Sequence, residues 1–244
     1  MKKYLVFLAL IPFLSTAAQD DTTWKEASKE SQAYHDYREK LTVPPYGLQK
    51  IKGLVARIKL DENEKEELDQ KKYLALSLRE KFTYHMIHPE SYSQNCDAMP
   101  PIQDEQKKIF AQLPDIFDEY AWTDRQIQFF KDNKDSVMNF MKESISRTKR
   151  VGVNFKHAMV EMKAREMIPF LIATYNISKK DHDILTVLML LMKNDKYAAF
   201  LNSPSYKKLY ADEDASYQSY LNFNTANEQL IIKRATEFYN GLKK

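Results

Sequence analysis

Apolar residues recur every three or four positions along most of this 244-residue chain, the spacing that lines one face of a helix and not the alternation of a strand. Thr23 caps a first predicted helix carrying Trp24, Ala27, Tyr34, Tyr37 and Leu41, which Pro44-Pro45 stops. A second runs from Gly47 through Leu48, Ile51, Leu54, Val55 and Ile58. Asp61 and Glu64 form a capping box for a long third helix through Leu68, Ala75, Leu78, Phe82 and Met86, ending at Pro89. Ser91 to Pro101 reads as a loop.

The second half repeats the pattern. Asp104 caps a helix through Phe110 and Leu113, broken at Pro114 and resuming toward Tyr120. Thr123 and Gln126 box the next, with Ile127, Phe129 and Phe130, and another from Asp135 carries Val137, Phe140, Met141 and Ile145. From Val153 a helix runs to Tyr175 with a kink at Pro169. Ser178 and Asp181 open the most apolar helix, Ile184 to Leu191, which belongs deep in the core. Pro204 starts a short aromatic segment. Thr225 and Glu228 box a last helix that Gly241 terminates.

The expected fold is all-α, with eight to ten helices arranged either as stacked antiparallel hairpins, in the manner of an α-solenoid, or as an irregular bundle. Residues 19–244 are expected to form one helical domain. Three capped junctions, near 61, 123 and 178, align without gaps: an apolar residue (Leu60, Trp122, Ile177), a cap (Asp61, Thr123, Ser178) and a polar partner three residues on. Such alignment suggests diverged repeat units, although every tight helix junction needs a similar sequence.

The first 18 residues depart from this pattern. Met1-Lys2-Lys3 precedes an apolar run from Tyr4 to Leu14 and the small residues Ser15-Thr16-Ala17-Ala18. That is the layout of a secretory signal peptide, too short to span the ~30 Å membrane core. Cleavage is expected after Ala18, with Ala17 the competing position, releasing a periplasmic or secreted protein that does not span the membrane.

Removing that segment leaves 35 Lys and Arg against 34 acidic residues, so no positive excess points to nucleic acid. The basic run Arg147-Thr148-Lys149-Arg150 reads as a solvated helix end. Only four glycines are present, at 47, 53, 152 and 241, and no two have the spacing of a phosphate-cradling loop. Cys96 is the sole cysteine, so helical packing rather than an internal disulfide must carry the fold.

Three constellations remain. His85 and His88 lie at a helix end, followed by Glu90, Cys96 and Asp97, and His85, His88 and Cys96 are donors suited to zinc or another transition metal. His157 and Glu161 share a helix face and are expected to pair on a solvated surface, since no Glu-x-x-His motif of a di-metal bundle occurs. The last 48 residues are rich in aromatics, and Tyr206, Tyr210, Tyr217 and Tyr220 offer the amphipathic rings that favour partner surfaces. The functional expectation is an exported, non-catalytic interaction or scaffold module that binds another protein without a cofactor. The alternative is a metal-binding protein or metal-dependent enzyme centred on His85, His88 and Cys96.

Overall fold

The computed structural model describes residues 26–60, 65–92, 100–117, 119–212 and 216–242. The segment 1–18, Thr23, the Asp61–Glu64 box and Cys96 lie outside them.

Among the described residues the fold is all-α, with twelve helices, three of them only four to seven residues long. In chain order these are α1 Lys29–Glu39, α2 Leu48–Val55, α3 Gln70–Leu74, α4 Leu78–Ile87, α5 Asp124–Asp132 and α6 Lys134–Thr148, then α7 Val153–Glu161, α8 Ile168–Ser178, α9 Asp183–Asn194, α10 Ala198–Leu201, α11 Pro204–Tyr210 and α12 Thr225–Gly241. Two antiparallel ribbons accompany them. β1 Ser91–Tyr92 pairs with β3 Tyr120–Ala121, and β2 Lys108–Phe110 pairs with β4 Tyr220–Asn222, setting Ile109 opposite Leu221.

The predicted apolar helix is the centre of the packing. Every residue of α9 from Asp183 to Met192 is buried, and α7, α8, α10, α12 and β2 all pack against it. A solenoid unit touches only its neighbours in the stack. Here one helix collects the contacts, which makes this the irregular bundle. A satellite core of Ile51, Leu68, Leu76 and Tyr84 sits under α2 and α4.

Local chemistry explains where the elements depart from expectation. The long third helix is two, because Ser77 and Glu80 form a capping box that opens α4. The Asp104 segment gives only a 3-10 turn, Glu105–Lys107, before entering β2. Pro169 does not kink a helix: α7 ends at Glu161, Lys163 adopts φ 47°, and Pro169 lies in the first turn of α8, where its missing N–H costs nothing. The Thr123–Gln126 box forms. Ser178 is instead the last residue of α8, Lys179 turns left-handed, and α9 begins at Asp183. Asn224, one residue before Thr225, caps α12, and Gly241 remains helical.

Gly152 shows a close approach. A Cβ there would fall 2.1 Å from the Thr42 backbone nitrogen and 2.7 Å from the Leu41 carbonyl carbon. The glycine lets the strand-like segment after α1 lie on the start of α7, where Asn154 holds both backbone groups of Thr42. Gly152→Ala is expected to cost about 2–3 kcal/mol, at the upper end of overpacking because the obstruction is backbone; urea denaturation would show a lower midpoint with an unchanged slope.

Candidate functional site

The chemistry-bearing side chains of the interior gather in two clusters. The first ties α1 to α7 and α9. Arg38 Nε donates to both carboxylate oxygens of Asp183, at 3.0 and 3.2 Å, and its Nη1 donates to Glu105 at 3.2 Å. Lys156, with a fully buried side chain, reaches Asp181 at 2.6 Å and Asp183 at 3.6 Å. His35 bridges Glu105 and Glu39, each at 2.9 Å. Tyr34 accepts the backbone N–H of His182, whose ring stacks on Phe223 with centroids 3.7 Å apart.

Charge balance explains this cluster. Three acidic side chains, Asp181, Asp183 and Glu105, face two basic ones, Arg38 and Lys156. Against the opposing effect of burial, the hydrogen bond from His35 to Glu105 raises the imidazole's pKa and favours its protonated form beside that carboxylate. Burial alone would raise the Asp183 carboxyl, but Arg38 and Lys156 beside it more than offset this and hold it low.

The second cluster joins α4, α5 and the ribbon β1–β3. Glu90 is fully buried and accepts from Tyr84 Oη and Thr123 Oγ1, each at 2.8 Å, and from Arg125. Gln126 is its pivot. Its carbonyl oxygen accepts from the backbone N–H groups of Glu90 and Thr123 at 3.0 and 3.2 Å, which fixes the amide orientation. The amide nitrogen must then donate, to His88 O and to His85 Nδ1, both at 2.9 Å. His85 Nδ1 is therefore an acceptor and the proton sits on Nε2, donated to Tyr73 Oη at 2.9 Å. Burial, with the Arg125 charge behind it, lowers the His85 pKa well below its usual value and keeps the ring neutral.

This geometry locates each expected site residue. His85 has both ring nitrogens engaged within the protein. His88 donates Nε2–H to Glu66 O at 2.6 Å. Cys96 lies outside the described residues, and among those described no group of three or more metal donors is brought together. His157 does not share a solvated pair with Glu161; it donates to Pro114 O at 2.8 Å. Tyr210 is a correction: it is buried, and its hydroxyl donates to Ala111 O at 2.7 Å because a buried phenol must find an acceptor. Tyr206 and Tyr220 stay half-buried, Tyr206 against Phe200 and Tyr210, Tyr220 beside Phe110 with Lys108 Nζ 4.6 Å from its ring centroid. Tyr217 falls in the 3-10 turn Ser216–Gln218, and its side chain lies outside the described set.

Sequence reasoning missed Arg38, Glu105, Lys156 and Asp183. The one hint was the sequence His182-Asp183 leading directly into the most apolar helix, where a charge entering the core needs a partner.

The histidines make stability depend on pH in a defined direction. Burial lowers the pKa of His85, His157 and His182, so below the unfolded value of about 6.5 the unfolded chain takes up protons that the fold refuses. Stability is therefore lost as pH falls through that value, by up to about 1.4 kcal/mol per pH unit for each histidine that stays neutral. His35 has the opposite sign: its raised pKa contributes stability that is complete below about 6.5 and lost as pH rises through the folded value. Urea midpoints should fall between pH 6.5 and 5, and the gap between wild type and His35→Gln should shrink above pH 6.5.

No helix among the described residues is long and apolar enough to cross a membrane. Compared with known protein families, with curated proteins and with solved structures, the chain matches none.

Proposed function

We propose that this is an exported, non-catalytic interaction module of the cell envelope or extracellular space, with residues 1–18 as the address that is removed. The observation that carries the reading is the state of two aromatic rings. Tyr206 on α11 and Tyr220 on β4, elements that pack together, keep part of their surface exposed yet are braced from beneath by Phe200 and Tyr210 and by Phe110. A braced ring presents a large amphipathic surface and loses little conformational entropy on binding, which is what a contact residue needs. The buried carboxylates and His85, by contrast, are spent on contacts inside the fold.

Affinity capture tests this, using the mature chain from Gln19 and an envelope extract of the cells that make it. The wild type should retain a stoichiometric protein, and Tyr206→Ala/Tyr220→Ala should lose it by about tenfold or more, since anchoring aromatics contribute about 1–2 kcal/mol each. Equal retention by a variant with an unchanged circular dichroism spectrum would refute the assignment of this face.

A further inference from the structure

Between Leu41 and Leu60 the chain has four cations, Lys50, Lys52, Arg57 and Lys59, and no acidic residue. The apolar positions of this stretch are already used. Ile51 is buried in the satellite core, and Leu54, Val55 and Ile58 pack against it. What α2 turns outward is therefore Gln49, Lys50, Lys52 and Gly53, all exposed, followed by exposed Ala56 and Arg57.

The end of α6 adds to this surface. Arg147 lines a shallow hollow of about 520 Å³ together with Val43, Pro45, Leu48 and Lys50 at the start of α2. Val43 is 39 % exposed, high for a valine with a core available. Lys50 pairs with Glu80 at 2.8 Å, while Lys52, Arg57 and Arg147 take no ion-pair partner among the described residues. The hollow thus has apolar walls, Arg147 and a Glu80-paired Lys50 at its rim, and further positive charge along α2 from Lys52 and just beyond it from Arg57.

We propose that this hollow docks an acidic segment of a partner protein, one apolar side chain entering between Val43, Pro45 and Leu48 while a flanking carboxylate meets Arg147. Charge complementarity selects the occupant, since the excess of cations here over the Glu80 carboxylate steers and holds negative charge. The apolar walls add a place for a single side chain, and anchors in desolvated pockets contribute most of the energy at such contacts. A lipid surface is a poorer match. A helix that lies in a membrane interface needs a continuous apolar face to sink below the headgroups, and that of α2 is turned into the protein. The site is separate from Tyr206 and Tyr220, so the failure of either leaves the other standing.

The test is a titration of the ¹⁵N-labelled mature chain with acetyl-Glu-Glu-Leu-Glu-Glu-amide at millimolar concentration, followed by amide chemical shifts. Saturable shifts are expected at Val43, Gly47, Leu48, Lys50 and Arg147. Binding should weaken at least tenfold in Arg147→Glu, whose exposed position leaves the fold intact, and should weaken also with glycine in place of the peptide's leucine. The proposal is overturned if no saturable shift occurs at these residues, if acetyl-Lys-Lys-Leu-Lys-Lys-amide binds equally well, or if Arg147→Glu binds undiminished. It is overturned equally if the same amides respond to phosphatidylglycerol vesicles and not to the acidic peptide.

Discussion

Asp183→Ala is expected to destabilise the protein by about 3–5 kcal/mol, the cost of removing one partner from a buried ion pair. The carboxylate is 1 % exposed and faces two cations that cannot follow it to water: Arg38, held between Asp183 and Glu105, and Lys156, whose side chain is fully buried. For a chain of this size the loss corresponds to a fall in Tm on the order of 10 °C. α1 should suffer most. Among its residues only Ser31 and Arg38 are buried, so the helix is fastened by its polar bonds and not by an apolar stripe. Hydrogen exchange in Asp183→Ala should show α1 amides exposed first, with α9 protected longer. Arg38→Ala/Asp183→Ala should cost less than the sum of its single variants, because the second substitution removes a charge the first had stranded.

Gln126→Leu is expected to cost about 3–5 kcal/mol for a different reason. No charge is lost, but four groups lose a partner at once: the N–H groups of Glu90 and Thr123, the carbonyl of His88 and Nδ1 of His85. An unsatisfied buried polar group costs about 1–3 kcal/mol, and partial relaxation toward water keeps the total below the simple product. The α5 capping box disappears in the same substitution, since Gln126 supplies its returning bond to Thr123. Gln126→Glu separates orientation from mere presence. Its carboxylate still accepts from the two backbone N–H groups but cannot donate to His85, so the ring must reprotonate or lose its partner. A titration of the His85 ring carbons by NMR should then show its pKa moved upward from the wild-type position.

The parts of this fold that were legible in the sequence are those governed by near neighbours. α9 announced itself through an unbroken apolar face, and Thr123 with Gln126 lie three residues apart, close enough for the box to be written locally. Ile109 and Phe110 fit helical spacing equally well, yet they became a strand because Leu221 and Tyr220, more than a hundred residues later, pair with them. The Ser178 box failed for a related reason. Asp181, needed to return the capping bond, is drawn instead to Lys156, 25 residues earlier. Arg38 and Asp183 stand 145 residues apart, and nothing in either local sequence specifies the other. Of the four tyrosines, Tyr210 shares its helical row with Tyr206, but only the carbonyl of Ala111 decides that one faces inward.

The ionisable groups of the interior are spent on one another and on neighbouring side chains, and hold the fold together. His85 tests it most directly, because it is both the pivot of a buried network and the expected metal ligand. The measurement is the ¹⁵N chemical shifts of the His85 ring, followed from pH 8 to 5 and again with one equivalent of zinc. A single neutral tautomer protonated on Nε2 throughout, unmoved by the metal, is the predicted result. Protonation of His85 near pH 6.5, or a zinc-induced shift at either ring nitrogen, would contradict the account.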